Sequence, residues 1–198
     1  MLNSFNELGI TEISNRAVLT LESHELPDNE VAVWLADKCG ISPDGIYLLT
    51  APTASQVGSI QVASRIVETG LHKMVELGFD IHTIVSGIGV CPIAPIADED
   101  LKAIGRTNDA VLFGGRVWYT VKANSADVEA VIGKLPSSSS SDYGTPFYEL
   151  FQRYDCDFYK IDPMLFSPAE ISINDLSSGH TFHAGEVNAA LLKKGLFS

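Results

Sequence analysis

The sequence predicts an α/β fold, with a mixed α+β order in its later part. Short apolar runs alternate with segments of helical spacing in the first half. The 198 residues are 45% hydrophobic and 19% charged, enough apolar surface to offset ordering entropy. Gly, Pro and Asn-Asp turn chemistry punctuates the runs throughout. The length suits one domain or two small ones. Periodicity alone does not choose between α/β and α+β.

Arg16 to Glu22 alternates, with Ala17, Leu19 and Leu21 on one side, and reads as a strand. Pro27, Asp28 and Asn29 open a helix in which Val31, Trp34 and Leu35 share a face, and Gly40 closes it. Ile46 to Leu49 is a short strand running into the small-residue turn Ala51 to Ser55. One long helix is then expected from Ser55 to Leu77, stopped by Gly78, with Val57, Ile60, Val67, Leu71, Met74 and Val75 on its apolar face.

Ile81 to Ile96 reads as a strand followed by a Gly/Pro-punctuated loop. A short acidic helix is expected near Asp98 to Ile104, and Gly105 to Asp109 reads as a polar turn cluster. Ala110 to Phe113 and Arg116 to Val121 flank Gly114-Gly115 as a β-hairpin would. Ala126 to Ile132 is a short helix. The serine run Ser137 to Ser141 has the composition of a flexible connector. Pro146 starts a helix bearing Phe147, Leu150, Phe151 and Tyr154. Phe158 to Ile161 and Glu170 to Asp175 read as strands, and Glu186 to Lys194 as a helix.

Thirteen basic residues against 25 acidic ones give a formal net charge of −12, which argues against nucleic-acid binding because that needs a Lys/Arg footprint. The stretch Thr83 to Ala97, free of charge and histidine, is too short for a membrane span and contains Pro92 and Pro95. The first cation is Arg16, so no basic leader precedes an apolar segment. Cys39, Cys91 and Cys156 are odd in number and far apart, unlike a disulfide framework or a CxxC zinc site. These features together predict a cytoplasmic protein with no membrane partner.

Gln61, Arg65, Glu68 and His72 stand at i, i+4, i+7 and i+11, one stripe on the expected long helix. Lining a pocket, Glu68 would serve as a general base with Arg65 setting its pKa and orientation. On a solvated face the same residues would make only an ion pair worth a few tenths of a kcal/mol. Spacing alone leaves both readings open. The Gly105-Arg106-Thr107-Asn108-Asp109 cluster could present amides and a guanidinium to an anion, or simply turn the chain. Asp142-Tyr143-Gly144 and Phe158 to Pro163 concentrate polar and aromatic residues that stack on a flat ring or fill a core. His180 and His183 form an HxxH pair with no companion ligands nearby, so no metal site is expected. No GxSxG, P-loop or GxGxxG fingerprint occurs.

Several of these segments together resemble the methenyltetrahydromethanopterin cyclohydrolases. The matching stretches are Ala51 to Ser55, Val57-Gly58-Ser59, Arg65-Ile66-Val67-Glu68-Thr69 and His72-Lys73. Pro92 to Ile96, Gly105 to Asp109, Gly114-Gly115, Asp142-Tyr143-Gly144 and Asp157 to Ala169 follow in order. The resemblance implies a cytoplasmic enzyme of one-carbon metabolism, in methanogenesis or formaldehyde oxidation, that reversibly hydrolyses the methenyl bridge to the formyl derivative. It implies a homotrimer at full length, a pterin one-carbon carrier as substrate and no separate cofactor. It assigns the catalytic pair to Arg65 and Glu68, and so favours the pocket reading of the stripe. It suggests Thr53, Ser55, Gln61, Arg106, Asn108, Asp109, Tyr143 and Lys160 as substrate-binding residues.

Family members carry a substantial region before the segment that begins here near Phe5, with a Gly-Ser-Gly-Pro stretch and an active-site lysine not found in this sequence. Residues 1–198 are therefore expected to be the C-terminal portion of a cyclohydrolase-like subunit, incomplete at its N-terminus. Within them, roughly 1–135 form an α/β part and 136–198 an aromatic-rich part. Little activity is expected of this chain alone, and apolar surface left uncovered should make it self-associate. The alternative function is a catalytically incomplete pterin-binding or subunit-interaction module.

Overall fold

The structure, a computed structural model, describes residues 13–197; the start of the family-like segment near Phe5 lies outside the described residues. The chain forms two compact units, Met1–Thr53 and Ala54–Ser198. The α/β expectation holds in its mixed form: seven helices and two sheets occur among the described residues.

In the first unit, β1 (Ala17–Glu22) and β2 (Ile46–Ala51) pair in parallel, joined through α1 (Asn29–Cys39). The helix starts where expected because the Asp28 carboxylate accepts the Val31 amide at 2.9 Å. It stops at Gly40, which sits in the left-handed region at φ 66°.

The second unit opens with two helices rather than one. α2 (Gln56–Ser64) ends at Arg65, and α3 (Ile66–Glu76) begins after it. The Ser64 hydroxyl donates to the Gln61 carbonyl at 2.9 Å, the acceptor an unbroken α-helix would give to the Arg65 amide. The Arg65 amide turns to the Val62 carbonyl at 3.2 Å instead. The break changes the apolar face too. α2 buries the small residues Gly58 and Ser59 and leaves Val57 and Ile60 exposed, whereas α3 buries Ile66, Gly70, Lys73 and Met74 and leaves Val75 exposed.

After β3 (Ile84–Val90), residues expected to turn and form a hairpin instead make one continuous helix, α4 (Asp100–Gly114). Its turn-forming residues are satisfied inside the helix. Thr107 donates to the Ala103 carbonyl and the Asn108 side chain to that of Ile104, each at 2.8 Å. Gly114 ends the helix and Gly115 leads straight into β4 (Arg116–Val121), so no Gly-Gly hairpin forms.

α5 (Ser125–Ile132) and α6 (Phe147–Arg153) lie where expected. The serine run between them is not a flexible connector. Ser137–Ser139 is a 3₁₀ turn, Ser137 and Ser140 are buried, and Ser137 donates to the Leu112 carbonyl at 2.5 Å. Phe158–Lys160 is likewise a 3₁₀ turn, not a strand, because Asp157 accepts the Tyr159 amide at 3.0 Å and Phe158 packs on Phe147 and Phe151. β5 (Glu170–Asp175) holds as expected. A further strand, β6 (Thr181–Gly185), pairs with it and pushes the last helix, α7, to Ala189–Phe197.

The sheet order is β3-β4-β5-β6, antiparallel at both ends and parallel between β4 and β5. Val117, Tyr119, Val121, Ile171 and Ile173 form its inner face and pack with Ile66 and Met74 of α3 and with Val128 and Val131 of α5. Leu112 and Phe113 of α4 join a second core with Phe147, Leu150 and Phe151. The sheet's other face leaves Ile88, Val90 and Trp118 exposed.

Candidate functional site

The break between α2 and α3 shapes the candidate site. Arg65 occupies the junction, and Glu68 lies in the first turn of α3. The guanidinium grips the carboxylate with two hydrogen bonds, Nε to Oε2 at 2.9 Å and Nη2 to Oε1 at 2.8 Å. These bonds hold the Glu68 carboxyl below its usual range, with partial burial opposing and His72 adding to the effect. They raise the Arg65 pKa in return. Glu68 is therefore a carboxylate at neutral pH. Each of its oxygens accepts one N–H from Arg65 and keeps a lone pair for a further donor such as water. The side chains are 55% and 60% exposed, so the pair contributes only a few tenths of a kcal/mol to stability. The pair is open to solvent and fixed in geometry, as a group that takes a proton from water must be.

The remaining candidates fall into separate environments. Ser55 caps α2 by accepting the Gly58 amide at 3.0 Å, and the neighbouring Ala54 amide donates to Asp100 at the start of α4 at 2.8 Å. Gln61 is half-buried on α2, one turn before Arg65. Thr53 is buried, and its hydroxyl has no hydrogen-bond partner among the described residues.

Arg106 donates from Nη1 to the Ile96 carbonyl at 3.0 Å, while its Nε is buried with no partner among the described residues. α2 packs on α4, which brings the helices of Gln61 and Arg106 side by side. The Asn108 amide bonds back to its own helix. Asp109 is buried and accepts the first amide of α6, from Phe147, at 2.8 Å. Burial pushes its pKa up to about 7. Asn108 and Asp109 thus serve the packing of α4. Tyr143 lies edge-on to Phe113 at 5.4 Å, its hydroxyl accepting from Asn188 at 3.4 Å. Lys160 is exposed and paired with Asp155 at 2.9 Å. Of the candidate residues, Arg65 and Glu68 are joined to one another side chain to side chain.

Two polar residues behind the pair escaped the sequence reading. Lys73, wholly buried on α3, donates to the Ser139 hydroxyl at 3.1 Å and to the Met164 carbonyl. Burial pushes its pKa down to about 8. The Tyr119 hydroxyl donates to the Val67 carbonyl at 2.6 Å, fixing the turn of α3 that carries Glu68. The signal for Lys73 is its spacing, seven residues after the buried Ile66 and three after the buried Gly70.

The mixed α/β fold and the carboxylate–guanidinium pair at the helix break are joined by a sequence comparison that identifies the class of protein. The family model described as Cyclohydrolase (MCH) matches residues 2–196. The chain belongs to this family. It is 48% identical over 193 residues to the methenyltetrahydromethanopterin cyclohydrolase of Methanothermobacter marburgensis, covering 96% of this chain and 60% of that protein. The proteins of the same name from Methanocaldococcus jannaschii and Methanococcoides burtonii are 47% and 42% identical, with 98% and 95% of this chain and 60% and 59% of theirs covered. The chain thus spans about three fifths of the length of the curated relatives it matches.

Proposed function

We propose that this protein takes part in the reversible hydrolysis of methenyltetrahydromethanopterin to formyltetrahydromethanopterin, a step of one-carbon metabolism. The observation that carries the reading is the bidentate Arg65–Glu68 pair in a chain of this family. The methenyl carbon lies between two nitrogens and is cationic, so it is already electrophilic. Attack by water forms a C–O bond and releases a proton, and Glu68 accepts that proton. The resulting carbinolamine gives up its hydroxyl proton as the C=O bond forms and one C–N bond breaks, the leaving nitrogen takes up a proton in exchange, and the formyl group remains. One proton is released overall. Arg65 holds Glu68 ionised and oriented. A weakly basic carboxylate suffices because the carbon attacked carries positive charge.

Thr53, Ser55, Gln61, Arg106, Tyr143 and Lys160 are proposed to face the pterin carrier. Asn108 and Asp109 would act on it only through the placement of α4. A homotrimer would cover the open sheet face at Ile88, Val90 and Trp118. A cytoplasmic location is supported by the free cysteines Cys39, Cys91 and Cys156. Among the described residues no helix is long and apolar enough to cross a membrane.

The alternative reading is a pterin-binding or subunit-interaction module without its own turnover. Measuring binding and turnover of methenyltetrahydromethanopterin by the purified protein separates the two. Turnover lost in Glu68→Gln supports the enzyme. Binding without turnover, alone or with the family's remaining segment supplied, supports the module.

A further inference from the structure

Glu68, His72 and Glu76 stand at i, i+4 and i+8 on α3, so one exposed face of the helix carries carboxylate, imidazole and carboxylate in line. His72 belongs to the same stripe as Gln61, Arg65 and Glu68, yet it takes no part in the transfer of a proton to Glu68. Its Nε2 lies 3.7 Å from Glu76 Oε1, and both side chains are a little under half exposed. Its charge also acts on Glu68, favouring the carboxylate. Among the described residues His72 pairs with no side chain of another element. The next residue, Lys73, is buried and anchors the opposite side of the helix, which keeps the imidazole turned outward.

Hydrolysis releases one proton, and Glu68 must be ionised again before the next turnover. The two Arg65 hydrogen bonds favour its ionised form, which makes the protonated carboxyl a ready donor. A carrier seated over Glu68 displaces water from that carboxyl, whereas His72 stands about 6 Å further along the helix. Imidazole is the side chain that exchanges a proton most readily near neutral pH. We propose that His72 is a proton relay, taking the proton that Glu68 receives from the attacking water and passing it to Glu76 and the solvent. The Glu68 O–H bond breaks as an N–H bond forms on the imidazole, and a proton then leaves the other ring nitrogen. In the reverse direction the same path delivers the proton that closing the methenyl bridge consumes. The relay rests on the hydrolysis proposed above.

The test compares the parent with His72→Ala in dilute buffer, the family's remaining segment being supplied to both. Turnover of methenyltetrahydromethanopterin should fall about tenfold or more in the variant. Free imidazole should restore it without accelerating the parent, once the rate without protein is subtracted; a purely structural role gives no such recovery. Independently of turnover, the NMR titration midpoint of the His72 ring should fall by about 0.2–0.4 pH in Glu68→Gln, because the carboxylate one turn away no longer favours the imidazolium. A His72→Ala protein as fast as the parent, or a loss that imidazole does not restore, overturns the relay and leaves the hydrolysis standing. An unmoved ring midpoint overturns the relay too. A parent without turnover overturns the hydrolysis, and the relay with it.

Discussion

Replacing Gly70 with alanine tests how α3 is seated under the Arg65–Glu68 pair. In an exposed helix the change would stabilise the protein by about 1 kcal/mol, because glycine is a poor helix former. Here the added Cβ would stand 2.2 Å from the Tyr119 hydroxyl oxygen and 3.1 Å from the ring carbon that bears it. That hydroxyl is buried and tied to the Val67 carbonyl at 2.6 Å. Overpacking of this kind costs about 1–3 kcal/mol, and the displaced hydrogen bond about 1 more. With the propensity gain deducted, Gly70→Ala is expected to lose about 1–3 kcal/mol. Tyr119→Phe alone should lose about 1 kcal/mol. The double variant leaves the ring carbon as the nearest atom, a gap that closes with a shift of a few tenths of an ångström. It should therefore be more stable than Gly70→Ala alone, with a coupling of about 1–2 kcal/mol between the sites. Urea unfolding of the four proteins by far-UV circular dichroism gives these values. A Gly70→Ala protein as stable as the parent, or effects that simply add, would refute the reasoning.

Three further outcomes follow from buried or paired charges. Asp109 has a folded pKa raised to about 7, so its stabilising protonated form is fully present below about pH 4 and is lost as pH rises through 7. The urea midpoint should fall between pH 5 and pH 8, and Asp109→Asn should remove most of that fall; an unchanged pH dependence would contradict it. Lys73→Met strands the Met164 carbonyl and leaves Asp162 without its nearby ammonium, and should cost about 3–5 kcal/mol in the same unfolding assay. Arg65→Lys exchanges a two-bond grip for a point charge, and should change stability by less than about 0.5 kcal/mol while lowering kcat. A kcat equal to the parent's would remove Arg65 from the mechanism.

Much of the fold was legible where local chemistry decides it. The Asp28 cap, the Gly40 stop and the alternation of β1 all act over a few residues. The break at Arg65 was hidden because helical spacing continues through it; the Ser64 hydroxyl taking the Gln61 carbonyl leaves no mark on the period. Gly105 to Asp109 misled because the side chains that make turns also bond back along a helix when tertiary packing favours one. The serine run looked flexible because its partners, Leu112 and Lys73, are 25 and 66 residues away. The R-x-x-E spacing of the pair was legible at once. Its bidentate grip and its support from Tyr119 and Lys73 depend on packing across the second unit, which no local pattern carries.

The central claim is that Glu68, held by Arg65, takes the proton from the attacking water. Single-turnover kinetics of methenyltetrahydromethanopterin hydrolysis by the parent protein and Glu68→Gln, with the family's remaining segment supplied to both, test it most directly. The account expects the rate of the chemical step to fall by about 10²–10⁴-fold with substrate binding nearly unchanged. A fall of less than about tenfold would contradict it.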